Sequence, residues 1–313
     1  MRIRACFLLL ILLCGCSALP VNQNEVSSAD TPALEMGYDY RLLPEMAVFS
    51  GKSLQFTYSV QNLSVPIEVG VMMFFDGIAQ NYAVDGETGQ AVMHRYELQG
   101  NQEKVLSFAF TPKYGTTGKH KLMLVTMLNP SAIIDINNPQ ESFGNNHKIT
   151  NAGATIIFEQ DYGIPDLSIL SDFSSSKISD EERSLFDIPE SSENALDEIT
   201  FFYLYQGENP FATDKAIWYN GNEKLHMSLR GLGGPSGEYR ITVFRNHVPL
   251  KIADNFDLME AKFSGGYAVE KQIVLDTSSF QRNDVLYAIA IPLSADEAYD
   301  FSVKTVSRML IPN

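Results

Sequence analysis

From Leu54 to Gln61 every second residue is apolar: Leu54, Phe56, Tyr58 and Val60 alternate with Gln55, Thr57, Ser59 and Gln61. A period of two sets alternate side chains on one face of an extended chain, so this stretch predicts a half-buried strand and excludes an amphipathic helix there. After Asn62 to Pro66, a second apolar run from Ile67 to Phe75 stops at Asp76-Gly77, a dipeptide that accepts the positive φ of a tight hairpin turn. A further hairpin is expected, with strands near Gln80 to Val84 and Gln90 to Leu98 and its turn at Asp85 to Gly89. Val105 to Thr111, Lys121 to Leu128 and Ala154 to Phe158 extend the pattern, split by a loop holding Gly115 and Gly118. Short strands with turn signals at this spacing predict a β-sandwich.

The same pattern returns further on. Asn222 to Met227 sits like Gly51 to Phe56, Tyr239 to Phe244 parallels the run ending at Phe74, and Glu270-Lys271 before Ile273 parallels Glu103-Lys104 before Val105. Self-similarity at a slowly drifting offset reads as an internal repeat, a second sandwich over 198–313. Between the repeats, residues 161–197 are Ser-rich and acidic, with Ser174-Ser175-Ser176, Pro165 and Pro189, and read as a linker. Ser179 with Glu182 makes a capping box, which predicts one or two helical turns from Asp180 to Phe186. A second short capped turn, Ser294 to Glu297, precedes a last strand in which Phe301 and Val303 alternate.

The N-terminal end has a different character. Arg2 and Arg4 precede an apolar run from Ala5 to Leu13, followed by Cys14-Gly15-Cys16. A basic start, an apolar stretch and a small residue before a cysteine resemble a bacterial lipoprotein signal. That resemblance implies cleavage after residue 15, diacylation of the Cys16 thiol with the usual acylation of its new amine, and an extracytoplasmic, lipid-anchored protein. Cys14 stands where that family more often has Ala, Ser or Thr. Ser17 after the cysteine speaks against retention at an inner membrane. Residues 16–35 are polar and aperiodic and read as a tether.

Loss of 15 residues leaves 298 of 313, enough for two domains of ordinary size, the first over 36–160. Loss of the two arginines leaves 21 Lys and Arg against 38 Asp and Glu, a formal −17. Nucleic acid is a poor partner for such a chain, because phosphate binding needs clustered cations. All three cysteines, Cys6, Cys14 and Cys16, lie in the signal or its box, so no disulfide is expected in the mature fold.

Over Tyr38 to Phe158 a second resemblance enters. It rests on the alternating strand, the Asn-rich turn, the strand ending in Asp-Gly, Lys119-His120-Lys121-Leu122, and Glu141 shortly before Asn145-Asn146. These are similar to the immunoglobulin-like, adhesion-related domains of bacterial surface proteins, and the resemblance implies the fold without naming a ligand. The expected architecture is all-β, two tandem immunoglobulin-like sandwiches after a signal and tether.

Chemistry is sparse. Gly51-Lys52-Ser53 lacks the first glycine of a phosphate loop and precedes a strand, and Gly233-Gly234-Pro235-Ser236-Gly237 does not fit a nucleophile elbow. The five histidines, His94, His120, His147, His226 and His247, are scattered singly. No catalytic residue, cofactor or metal site is expected, and the Asp135 to Asn146 loop, although rich in oxygen donors, matches no calcium loop. The aromatic crowd at Phe201, Phe202, Tyr203, Tyr205, Phe211, Trp218 and Tyr219 is the candidate binding surface. Alternation puts Phe201, Tyr203 and Tyr205 on one face, Trp218 is expected in a polar loop beside Tyr219, and core packing is the competing reading. The expected role is a non-catalytic binding or adhesion module for an envelope protein or glycan. The alternative is a structural accessory subunit of an envelope complex.

Overall fold

A computed structural model describes residues 34–35, 46–133, 146–185, 200–207, 216–293 and 303–313, less positions 52, 64, 85–86, 88, 222, 235, 253–254 and 306. Cys16, the signal, most of the tether, the loop at 135–145, Phe211 and the capped turn at 294–297 lie outside the described residues.

The chain is all-β. Its first half contributes β1 (Leu34–Glu35), β2 (Met46–Phe49), β3 (Leu54–Asn62), β4 (Ile67–Phe75), β5 (Ile78–Gln80), β6 (Ala83–Val84), β7 (Met93–Leu98), β8 (Glu103–Phe110), β9 (Gly118–Leu128) and β10 (Ile149–Phe158). These form one sheet of order β1-β3-β8-β6 and a second of order β2-β10-β9-β4-β5, with β7 also on β4. The second half contributes β11 (Ile169–Leu170), β12 (Ser174–Lys177), α1 (Asp180–Leu185), β13 (Thr200–Tyr205), β14 (Ala216–Tyr219), β15 (Lys224–Gly233), β16 (Gly237–Arg245), β17 (Val248–Pro249), β18 (Leu258–Phe263), β19 (Tyr267–Asp276), β20 (Val285–Pro292), β21 (Val303–Lys304) and β22 (Arg308–Pro312). They form a sheet of order β11-β18-β16-β20-β22-β14 and another of order β12-β19-β15-β13.

The strand at Leu54 is buried on the side the alternation implies: Phe56, Tyr58 and Val60 enter the first core with Leu106, Phe108 and Leu124. Asp76 and Gly77 take φ of 47° and 73°, the paired positive values of a tight hairpin. The next hairpin forms differently from expectation. β5 and β7 both pair with β4, whereas β6 crosses to β8 in the other sheet, and Tyr82 meets Ala91 only at an isolated bridge. Tyr82 is what makes the crossing: its ring is buried between the sheets and its hydroxyl donates to Val71 O at 2.6 Å.

The repeat is present in the topology. β3 pairs β8 as β15 pairs β19, β2 runs parallel to β10 as β14 runs parallel to β22, and the β4–β5 hairpin has its counterpart in β16–β17. In the second hairpin Asn246 and His247 take φ of 48° and 69°, matching Asp76 and Gly77.

Part of the stretch expected as a linker pairs with the second sandwich. Ile169 and Leu170 pair with β18, and Ser174 to Lys177 pair with β19. The two sandwiches also share a seam. The outer faces of β4 and β9 meet those of β16 and β20 through Met72, Phe74, Met123, Val125 and Met127 against Phe244, Tyr287, Ile289 and Ile291, all fully buried. Phe74 and Phe244 hold the same place in the two hairpins, and their rings meet edge to face at 6.1 Å. At one end of the seam Arg240 donates to Asp76 O at 2.7 Å and pairs with Glu260 at 2.8 Å. At the other, His247 donates to Pro130 O at 2.8 Å. Each sandwich thus sets its hairpin turn against the other, a pseudo-two-fold arrangement of the kind seen at isologous interfaces.

Candidate functional site

The aromatic strand β13 divides as alternation demands. Phe202 and Leu204 enter the second core, while Phe201 and Tyr203 point outward. That outward face is already covered, since Phe201 and Tyr203 pack on Ile178, Leu232 and Ala268 beneath the segment leading into α1. The capping box forms and anchors this cover: the Ser179 N–H and hydroxyl donate to Glu182 Oε2 at 2.8 and 2.9 Å, and the Glu182 N–H donates back to Ser179 Oγ at 3.2 Å.

The other Glu182 oxygen takes Arg230, which also reaches Glu270 Oε2 at 2.6 Å, and the Tyr205 hydroxyl donates to Glu270 Oε1 at 2.9 Å. Burial alone would push the Glu182 carboxyl up. The Ser179 amide, the guanidinium of Arg230 and the Ser179 hydroxyl outweigh it and hold the carboxylate below its usual range. Burial, and then the bond to Glu270, push the Tyr205 phenol up to about 12. Tyr205 is therefore a buried member of this network, only 5% exposed.

Trp218 lies on strand β14 and not in a polar loop. Its neighbours Ile217 and Tyr219 turn inward, Tyr219 onto Phe280 at 5.6 Å, so the indole turns outward and is 51% exposed. Gln206 Nε2 donates to Trp218 O at 3.2 Å and ties the end of β13 to this strand. Among the described residues β14 pairs only with β22 and stands at a sheet edge. Of the five aromatic candidates, Tyr205 and Tyr219 are buried, Phe201 and Tyr203 are half-covered, and Trp218 alone presents a large exposed face.

A second concavity was not legible in advance. Where the chain leaves β5 for β6, the first sandwich opens into a cleft of about 420 Å³, lined by Gln80, Asn81, Gln90, Thr111, Lys113 and Tyr114 and bordered by Pro165 to Leu167. Tyr114 stiffens it by donating to Phe75 O at 3.0 Å and accepting from Gln80 Nε2 at 2.8 Å. The only signal was the break in alternation at Asn81. Neutral amides with one cation, Lys113, and one carboxylate, Asp166, suit hydrogen bonding to a polar ligand better than bond making.

Two of the histidines hold strands together. His94 bridges Glu87 at 2.7 Å and Tyr82 O at 2.8 Å, and His120 bridges Asp76 and Thr116 O, each at 2.6 Å. Burial opposes the charge on His120, but the hydrogen bonds to Asp76 and Thr116 O prevail and raise its pKa. Among the described residues no three His, Cys, Asp or Glu side chains gather as a metal centre requires, and no helix is long and apolar enough to cross a membrane.

No family model matches the chain, and no curated protein matches it. Solved structures that do match are β-sandwich domains. The CARDB domain of a Pyrococcus furiosus protein is 17% identical, covers 41% of this chain and 90% of its own, and superposes with a TM-score of 0.26. A PapD-like domain of human CEP192 is 13% identical over 47% of this chain and 96% of its own, with a TM-score of 0.25. The Escherichia coli chaperone DraB is 10% identical over 90% of this chain and 98% of its own, again at 0.26. At such scores the likeness carries no argument about ligand or partner, and the assignment of two β-sandwiches rests on the sheets described above.

Proposed function

We propose that this chain is a non-catalytic binding module of a bacterial envelope, anchored through lipid on Cys16 and engaging a protein or glycan through the face around Trp218. The observation that supports the reading is the rigid display of that indole: Ile217 and Tyr219 on either side are locked into the core while Trp218 stands in solvent on an edge strand. A flat aromatic face held on a fixed backbone contributes contact area at little entropic cost. Titration of the full chain with solubilised envelope proteins and with envelope glycans, followed by tryptophan emission, tests it. Trp218→Ala should weaken capture at least about tenfold, whereas Asn81→Ala in the cleft should leave it unchanged. Capture that survives the first change and fails with the second would move the site to the cleft.

The apolar seam favours a second reading, a structural accessory subunit of an envelope complex, because it fixes the angle between the sandwiches as a spacer requires. A stoichiometric membrane-protein partner in a pull-down that is indifferent to Trp218 would select it. The anchor has its own test: Cys16→Ala should leave an uncleaved precursor or release the protein from the detergent phase, since two or more acyl chains are what make anchoring stable.

A further inference from the structure

One end of the seam between the sandwiches is built from groups that titrate. Pro130 O can only accept, so His247 Nε2, 2.8 Å away, carries the ring proton and leaves Nδ1 as the acceptor for the Tyr287 hydroxyl at 2.9 Å. His147, from the first sandwich, donates through Nε2 to Ala132 O at 3.1 Å, and its ring meets that of His247 edge to face at 6.1 Å. Its Nδ1 is buried without a hydrogen-bond partner. The Lys304 ammonium lies 4.7 Å from the centre of the Tyr287 ring and donates to Thr305 O and Ser307 Oγ.

The Nε2 donations to Pro130 O and Ala132 O persist whether or not the rings are charged, but the bond from the Tyr287 hydroxyl and the unpartnered His147 Nδ1 require neutral imidazoles. A proton on His247 Nδ1 removes the acceptor of the Tyr287 hydroxyl, and a proton on His147 Nδ1 adds a buried donor with nothing to receive it. The surroundings disfavour both. Lys304, itself pushed down to about 7 by burial and so gaining its charge as pH falls, faces the two rings from β21, and Arg95 faces His247 from β7, whereas the opposing carboxylate is Glu68 on β4. Burial, reinforced for His147 by Lys304 and the His247 ring and for His247 by Arg95 and Lys304, pushes both histidines down to about 4.

We propose that His147, His247, Tyr287 and Lys304 form a proton-operated latch, closed while the two imidazoles are neutral and loosening the seam between the sandwiches when they are protonated. The seam itself supplies the reporters. Met72, Met123 and Met127 are buried in it, whereas Met73 and Met227 are buried inside the two separate cores. Peroxide oxidation of the full chain, read methionine by methionine by mass spectrometry, then separates opening of the seam from unfolding. At about pH 7.5 all five should react slowly. At about pH 5, above the range in which most carboxylates take up protons, Met72, Met123 and Met127 should react at least about tenfold faster while Met73 and Met227 stay protected.

In H147F/H247Q, where an apolar ring replaces the unpartnered acceptor and an amide keeps a donor and an acceptor toward Pro130 O and Tyr287, the acid response should disappear. Should the double variant not fold, H147F alone should still reduce the gain several-fold. An acid response of equal size in the variants, all five methionines rising together, or no response in the unaltered chain would each overturn the latch.

Discussion

At the scale of single residues, three positions carry separable consequences. Gly77 has φ 73°, and a Cβ there would stand 2.7 Å from Arg240 Cβ across the seam, so Gly77→Ala combines a left-handed penalty with a steric one. A loss of about 2–3 kcal/mol is expected by denaturant unfolding. Gly89→Ala is the matched control, since φ is 100° there but nothing lies within 4 Å, and it should cost about 1 kcal/mol. Arg230 joins Glu182 to Glu270, and Arg230→Ala would leave two carboxylates facing each other, one of them buried. About 3 kcal/mol should be lost. Trp218 is the contrasting case: with half the indole in solvent, Trp218→Ala should cost under about 1 kcal/mol and move the thermal midpoint by no more than a few degrees.

At the scale of elements, the interesting case is the stretch before β13. Its serines and acids read as solvated chain, yet β11 and β12 are paired strands, and Ile178 with α1 roofs the outward aromatics of β13. A strand can turn only alternate side chains into its own core, so a strand with aromatics on both faces needs a second cover, and the preceding segment supplies it. Ile178→Ala should therefore cost about 2 kcal/mol although Ile178 lies in the most polar part of the chain. In limited proteolysis of the intact protein, residues 169–185 should resist cleavage, and the Ile178 variant should become susceptible there. Rapid cutting inside that window in the unaltered chain would show that the cover does not hold.

At the scale of the whole molecule, the seam couples the sandwiches. Each half alone would expose a sheet face of methionine, phenylalanine and isoleucine, so either fragment expressed separately should self-associate in sedimentation while the intact chain does not. The two ends of the seam also respond to protons with opposite sign. His120, held on Asp76 beside the Arg240 contact, has a raised folded pKa, so its contribution is fully present below about 6.5 and is lost as pH rises through the folded value. His147 and His247 are depressed to about 4, so the unfolded chain binds more protons between about 4 and 6.5, and stability falls as pH falls through that window. Two buried groups outweigh one, and unfolding between about pH 7 and pH 5 should show net proton uptake. H147F/H247Q should shrink it, leaving the uptake at Lys304, which burial pushes down to about 7, set against the release from His120.

The sequence by itself determined the strands whose environment is two-sided. Alternation over Leu54 to Gln61, the Asp76-Gly77 turn, the Ser179–Glu182 box and the repeat of the first pattern in the second are local consequences of strand pitch, turn geometry and helix ends, and each is found in place. Only the tertiary structure decided what lies on both sides of β4, β9 and β20. Their continuous apolar runs come from burial on two faces, one in a sandwich and one in the seam, and such a run carries no periodicity from which a partner could be read. β14 was hidden because its alternation lasts only four residues, and dependence on contacts between segments distant in sequence hid the crossing at Asn81 with its cleft and the meeting of His147 with His247. These two lie 100 positions apart, and neither Pro130 nor Tyr287 is near either of them by any local rule. Local physics sets which residues can form a strand; the packing of whole sheets sets which of their faces is left for a partner.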